Sequence, residues 1–415
     1  MRIIADLHIH SKYSMAVSKL MEIPNIAKWA DIKGINLIAT GDFTHPRWFE
    51  QIKNELTEDG SGFLSYKDAK AKFVLSSEIS SIYKQGDKTR KLHTLVLVPD
   101  LKSAEQINRR LAKIGNIISD GRPILKLSGH DLAQLVLTTN PESLIIPAHI
   151  WTPWFSLFGS KSGFDSIKEC FGDLSKNIFA VETGISSDPE MNWRISALDK
   201  ITLLSNSDAH SLMKMGREAN VFEIEPCKFN YGEIADIIKT KDVRRFPKTL
   251  EFFPEEGRYH FDGHSNCKIC ADPFENKYPD GHCPICRKPM TIGVVNQVEK
   301  FADRKKSIRK SIFPATHHII PLNEIIAESF CVGVNSKKVE QMYFELINQF
   351  GNEFTILLDL DEKEMLEKMP PRIAEGIINM RKGKVKIDPG YDGLYGKISI
   401  FKKELIKETD QKTLF

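Results

Sequence analysis

The chain has 415 residues, 41% hydrophobic and 27% charged, with a formal net charge of +3. That length exceeds one ordinary domain and leaves room for a sizeable core, while the charge is too small to argue for nucleic acid by itself. No apolar run approaches the roughly 20 residues of a membrane span.

In chain order, short apolar strands alternate with amphipathic segments through the first 240 residues. The strands are expected at Arg2–Leu7, Asn36–Ala39, Phe73–Leu75, Thr94–Val98, Leu144–Pro147, Phe179–Glu182 and Ile201–Leu204. Helices are expected at Pro24–Lys33, Ala104–Ile118 and Pro189–Lys200. This alternation argues for βαβ units on a parallel sheet, and seven units suit a closed (β/α) barrel with its site at the C-terminal strand ends. An open doubly wound sheet would need a glycine-rich phosphate loop after the first strand, and none is present. After Lys241 the character changes. Thr249–His264 reads as a linker, two C-x-x-C pairs follow, and from about 296 onward the pattern is helical, with Lys337–Phe350 and Glu362–Arg381 amphipathic. A Gly/Tyr-rich stretch over Asp388–Lys397 closes the pattern. The expected organisation is therefore a barrel over 1–240, a linker and cysteine segment over 241–295, and a mainly helical region over 296–415.

His8 and His10 sit two apart on the first strand, so both imidazoles point the same way. Asp42, Glu78, His149, Asp208 and His210 follow later strands, and His93 begins the fourth. Core histidines have no reason to gather at strand ends, and buried carboxylates are rare unless paired or bound to metal. Eight such residues are too many for one tetrahedral ion, so two or three divalent ions are expected, Zn²⁺ first, with Mn²⁺, Fe²⁺ or Mg²⁺ as alternatives. Glu78 and Asp208 are the carboxylates placed to bridge or orient those ions. Clustered ions activate water and clamp a phosphate, so no protein nucleophile is required.

The segments Asp6-Leu7-His8-Ile9-His10, Ser77-Glu78-Ile79-Ser80, His93, Pro147-Ala148-His149 and Asp208-Ala209-His210 resemble the PHP (polymerase and histidinol phosphatase) family. The resemblance departs at two places. Thr40-Gly41-Asp42 stands where a Thr-Asp-His is usual, so Asp42 would replace a histidine ligand, and Tyr13–Val17 lacks a further histidine. Glu182, His45 and His130 are spare polar residues assigned to supporting roles.

Cys267, Cys270, Cys283 and Cys286 have the spacing of a closed four-thiolate zinc shell, structural rather than catalytic. Disulfides are the competing reading and do not suit a reducing compartment. The seven cysteines show no disulfide framework, and Met1–His10 lacks a signal-peptide core, so the expected compartment is the cytoplasm. His264 and His282 are taken as bystanders. From Gly281 to Lys310 eight basic residues face two acidic ones. Such a patch attracts phosphates, although a solvated helix face explains the same residues.

The domain order, Pro147–Phe155 and Pro389-Gly390-Tyr391-Asp392-Gly393 are similar to the endonuclease Q family across nearly the whole chain. The resemblance implies a distorted (β/α)7-type PHP barrel, a four-Cys zinc ribbon and a mainly helical C-terminal domain. It implies cleavage of DNA on the 5′ side of deaminated bases (uracil, hypoxanthine, xanthine) or abasic sites, leaving 3′-hydroxyl and 5′-phosphate ends. A monomer associated with the nucleoid is expected. Trp151, Trp154, Arg287, Lys288, Arg304 and Lys305 are the expected DNA contacts, the tryptophans because they follow His149 and can hold a flipped base. Gln411–Phe415 resembles the start of a sliding-clamp motif. Two other functions fit parts of the chain. A phosphatase for small phosphate monoesters explains the barrel alone, and a DNA-binding factor with a degenerate barrel leaves the ligand set unexplained.

Overall fold

The computed structural model describes residues 1–275, 277–307 and 313–401. Its first strand, β1 (Arg2–Asp6), has only Arg2 outside the buried class. β1 runs parallel to β2 (Leu37–Ala39), and β2 runs parallel to β3 (Lys72–Gln85). The Ile23–Lys33 helix makes the first crossover. It begins with a proline in its first turn and stops at Gly34, whose φ of 86° and amide bonds to Ala30 and Asp31 carbonyls close the helix. A Cβ at Gly34 would also lie 2.3 Å from Asn352 Oδ1, so the helix end packs against the C-terminal half.

At β3 the parallel pattern ends. The chain turns at Gly86 and Asp87 straight into β4 (Lys88–Val98), and the two strands run antiparallel from Leu75↔Val98 to Gln85↔Lys88. A two-residue connection allows only an antiparallel neighbour, whereas a parallel one needs a long crossover. β4 then pairs antiparallel with β5 (Leu144–Pro147). β6 (Ala180–Glu182) and β7 (Thr202–Leu204) form a separate parallel pair. Single bonds tie that pair to both flanks: Ile150 N–H donates to Glu182 O on one side, and Leu7 N–H to Asn206 Oδ1 and His10 N–H to Ala209 O on the other. β8 (Ala219–Glu223) lies antiparallel on β1, β9 (Lys248–Glu251) antiparallel on β8, and Ala315–His318 parallel on β9.

The protein is thus mixed α/β, and its sheet is mixed rather than parallel. All seven expected strands exist, but β3 and β4 are far longer than their apolar centres suggested. Pro189–Lys200 yields only a short helix, Pro189–Asn192, and a turn at Ser196–Leu198. Glu362–Arg381 is broken into Glu362–Lys368 and Pro371–Arg381, because two consecutive prolines cannot continue a helix. One apolar core runs from Ile4, Ile38 and Phe73 through Val294 and Val298 to Ile325, Leu346 and Ile377. A second, holding Ile3, Leu37, Leu204, Phe222 and Phe246, lies on the other face of β1. No helix among the described residues is long and apolar enough to cross a membrane. Gln411–Phe415, Arg309 and Lys310 lie outside the described residues.

Candidate metal centre

The strands deliver seven of the eight expected ligands to one place. His8, His10 and Glu78 form a group whose ligand atoms all lie within 4.8 Å of one another; His10, Asp208 and His210 form a second, and Glu78, His93 and His149 a third. Glu78 and His10 are each shared, so the three groups overlap into one centre. His10 Nε2 lies 2.9 Å from Asp208 Oδ1 and 3.6 Å from Glu78 Oε2. On the other side, Glu78 Oε1 lies 2.7 Å from His93 Nδ1 and 3.0 Å from His149 Nε2.

Local backbone aims these groups. Asp208 and His149 adopt left-handed conformations, with φ of 47° and 30°, as does Asp42 at 49°. Non-glycine residues persist there only when their surroundings impose it, and such residues cluster at functional sites. Gly184 has φ 67°, and a Cβ on it would lie 2.5 Å from His149 Cβ, so only glycine lets the segment after β6 pass this close. Ile9 forms a parallel bridge with Ala209, which keeps His8 and His10 extended past the end of β1 and brings Asp208 and His210 beside them.

Asp42 does not have the place the sequence suggested. Its Oδ1 lies 3.0 Å from His10 Nδ1, and its Oδ2 accepts from Ser11 N, Ser11 Oγ and Ser14 Oγ. Both oxygens are committed, so Asp42 orients the His10 ring instead of replacing a histidine ligand. Glu182 serves His8 in the same way, with Oε1 3.0 Å from Nδ1, while its Oε2 accepts from His149 N at 2.9 Å. Thr152 Oγ1, 3.2 Å from His149 Nδ1, supports the third ring and was not anticipated. His45 is a helix cap, with Nδ1 accepting from Trp48 N and Nε2 meeting Ile118 O. His130 lies between Asp131 and Asp173, outside the three ligand groups.

The electrostatics match the geometry. Burial lowers the His8 and His10 imidazoliums, but the carboxylates around them, Glu182 first for His8 and Asp42 first for His10, lift them to about 10 and about 9. Against the opposing effect of burial, His93 and His149 hold Glu78 well below the usual carboxylate range, and His10 and His8 do the same for Asp208. Such a cluster has acidic oxygens and imidazoles in balance, and a divalent ion displaces the imidazole protons. His8 Nε2 is fully buried and has no hydrogen-bond partner. A buried polar atom left unpaired costs free energy, and an ion at this place would satisfy it. The mixed imidazole and carboxylate donor set fits divalent ions such as Zn²⁺, Fe²⁺ or Mn²⁺.

Around the rim, Trp154 is half exposed, and Lys91 Nζ lies 5.4 Å from its ring and 5.3 Å from that of Phe155. Phe155 in turn sits 4.7 Å from the His93 ring. Lys91 was missed by the sequence reading, although it lies two residues before His93 on the same strand. Trp151 is no rim residue. It is buried, its Nε1 donates to Asn192 Oδ1, and its ring packs on Phe158 and Phe301. Nor is Arg304 available to DNA, because it pairs with both oxygens of Asp199 at 2.7 and 2.6 Å. Arg287, Lys288 and Lys305 remain exposed.

In the ribbon, the convergent group is His264, Cys267, Cys283 and Cys286. The sequence reading gave one of these places to Cys270. That residue lies on the Ile269–Ala271 strand with its side chain exposed, because side chains alternate along a strand and its neighbour Ala271 is the one turned into the ribbon core.

Comparison with known proteins extends this picture. Residues 321–384 match the family described as the MJ0043 C-terminal domain. The uncharacterized protein MJ0043 of Methanocaldococcus jannaschii is 35% identical over 262 residues, 62% of this chain and 32% of that protein. The chain thus spans about a third of that relative's length. The uncharacterized protein YqxK of Bacillus subtilis is 30% identical over 413 residues, 96% of this chain and 99% of that one. The crystal structure of the lesion-specific endonuclease PfuEndoQ from Pyrococcus furiosus is 32% identical with a TM-score of 0.84, covering 96% of this chain and 95% of its own. Endonuclease Q in complex with a 27-mer duplex bearing an abasic lesion at the active site is 32% identical with a TM-score of 0.85, and both chains are covered completely. With whole-length identity at this level and a shared fold throughout, the chain belongs to the endonuclease Q family.

Proposed function

We propose that this chain is a metal-dependent DNA endonuclease of base-damage repair. It hydrolyses the phosphodiester on the 5′ side of a deaminated base (uracil, hypoxanthine, xanthine) or an abasic site and leaves 3′-hydroxyl and 5′-phosphate ends. The observation that carries the reading is the set of three overlapping ligand groups joined through Glu78 and His10. Its support for DNA comes from a whole-length structural neighbour that was solved on an abasic duplex.

When bound, two or three divalent ions, Zn²⁺ first, supply Lewis acidity toward the phosphate and lower the pKa of water. The chain's own residues do the rest. Glu182 and Asp42 fix the Nδ1 sides of His8 and His10, which leaves the Nε2 atoms for ligation. Glu78, shared by two ligand groups, and Asp208, grouped with His10 and His210, are the carboxylates that would orient the ions. Lys91 and Trp154 flank the rim, where a phosphate and an unstacked base would be held. Arg287, Lys288 and Lys305 are the exposed cations for more distant phosphates. Gln411–Phe415 is kept as a sliding-clamp tail, tested by whether its deletion abolishes capture on a clamp.

The test is incubation with end-labelled duplexes, each carrying one modified base, and separation of products on a gel. Nicking 5′ to uracil, hypoxanthine, xanthine or an abasic site, abolished by chelation and by Asp208→Ala, is the expected result. Turnover of a phosphate monoester with no nicking of any duplex would overturn the proposal in favour of a small-molecule phosphatase.

A further inference from the structure

The two hairpin tips of the ribbon share one geometry. In the second, Cys283-Pro284-Ile285-Cys286 is followed by Arg287 at φ 60°, and His282 bridges to Pro289 across the hairpin. In the first, Cys267 is followed by Lys268 at φ 56°, and Gly263 pairs with Cys270. Placing Lys268 on Arg287 therefore places Cys267 on Cys286, His264 on Cys283, and Cys270 on Pro289. The left-handed residue reverses the chain directly after the second ligand. A side chain three residues earlier then lies on the same side of the turn.

The side chains agree with this register. Cys286 Sγ lies 3.9 Å from His264 Nδ1 and 3.8 Å from Nε2. Ligands about 2.0–2.3 Å from one tetrahedral ion stand roughly 3.5–3.8 Å apart, so this spacing suits a shared Zn²⁺. The turn after His264 is pinned from outside, since Asp392 Oδ2 accepts from Ser265 N at 2.6 Å and Oδ1 from Thr291 Oγ1. Cys270 faces solvent on the opposite side of its strand from Ala271.

We propose that one Zn²⁺ in the ribbon is held by His264, Cys267, Cys283 and Cys286, and that Cys270 is not a ligand. The first knuckle is then His-x-x-Cys, one register earlier than the C-x-x-C reading. Three thiolates and a neutral imidazole leave the site with a formal charge of −1, where four thiolates would leave −2. That difference matters beside Arg287 and Lys288, which sit on the second tip and are exposed.

The assignment is independent of the barrel chemistry and is tested on the full chain with Co²⁺ in place of Zn²⁺. The barrel ligands contain no sulfur, so thiolate-to-cobalt charge transfer reports the ribbon alone. Cys270→Ser is expected to leave the band and the ribbon's affinity unchanged, while His264→Ala weakens binding by more than about tenfold. His264→Cys keeps a ligand at that position and thereby separates ligation from folding. It is expected to raise the band by about a third, four thiolates replacing three. A weaker band in Cys270→Ser, or an unchanged band in His264→Cys, overturns the assignment.

Discussion

Lys33 Nζ lies 2.7 Å from Glu353 Oε2, and both side chains are almost completely buried where the first helix meets the C-terminal half. Glu353 also accepts from Leu322 N at 3.0 Å and Tyr343 Oη at 2.6 Å, and Lys33 donates to Met213 O at 2.9 Å. Removing one partner leaves an uncompensated buried charge, at a cost of about 3–5 kcal/mol. Lys33→Met should therefore lower the thermal midpoint sharply. Adding Glu353→Gln to it should recover part of the loss, measured by thermal or denaturant unfolding of the single and double variants.

Asp42 and His10 separate two kinds of contribution to metal binding. Asp42→Ala removes the partner of His10 Nδ1 but no ligand, so metal affinity should fall about 10–100-fold without loss of the site. His10 belongs to two ligand groups, and His10→Ala should reduce the number of ions retained. Metal analysis after dialysis at graded ion concentrations distinguishes the two outcomes.

Trp151 and Trp154 are three residues apart and should respond in opposite ways. Trp151→Ala empties a buried, hydrogen-bonded site and should cost about 3–5 kcal/mol of stability. Trp154→Ala should leave the melting curve nearly unchanged and weaken binding to lesion-bearing DNA by about 1–3 kcal/mol, read by titration with a labelled duplex.

Glu251 makes stability depend on pH. Burial lifts its carboxyl from 4.5 to about 8, against the hydrogen bond from Ser205 Oγ. Between those values the folded chain keeps a proton that the unfolded chain has released, so stability falls as pH rises from about 4.5 to about 8 and the loss is complete above that. Glu256, also lifted by burial to about 8, and Glu218, lifted by burial and by Glu251, add in the same direction. Thermal melts from pH 5 to pH 9 should show the midpoint falling, with a shallower fall in Glu251→Gln.

The candidate ligands were legible because their chemistry is conspicuous. His8, His10, Glu78, His93, His149, Asp208 and His210 are residue types that rarely lie at strand ends without cause, and the structure gathers all seven. The strand lengths were not legible. The third strand was expected to end at Leu75, yet Ser76, Ser77, Ser80 and Ser81 continue it and are all buried within β3. Two of their hydroxyls find partners across the structure, Ser76 Oγ accepting from Gly41 N and Ser77 Oγ lying 2.8 Å from Thr44 Oγ1, and local propensity carries no sign of that. His264 was taken as a bystander for a different reason. Two C-x-x-C pairs already supplied four thiolates, and the competing His-x-x-Cys spacing becomes visible only once Lys268 and Arg287 are seen to share a left-handed backbone.

The strand Ala315–His318 comes after the ribbon in sequence but lies beside β9, which comes before it, and His318 Nε2 reaches Asp188 Oδ2 at 3.2 Å. The ribbon is therefore a loop-like insertion between two hydrogen-bonded neighbours of one sheet, not a module strung onto the end of a finished catalytic half. Truncation before residue 313 would strip an edge strand from that sheet and expose the backbone of β9. Excising the ribbon and joining its two ends would keep the sheet whole, which makes internal deletion the better route to a minimal nuclease.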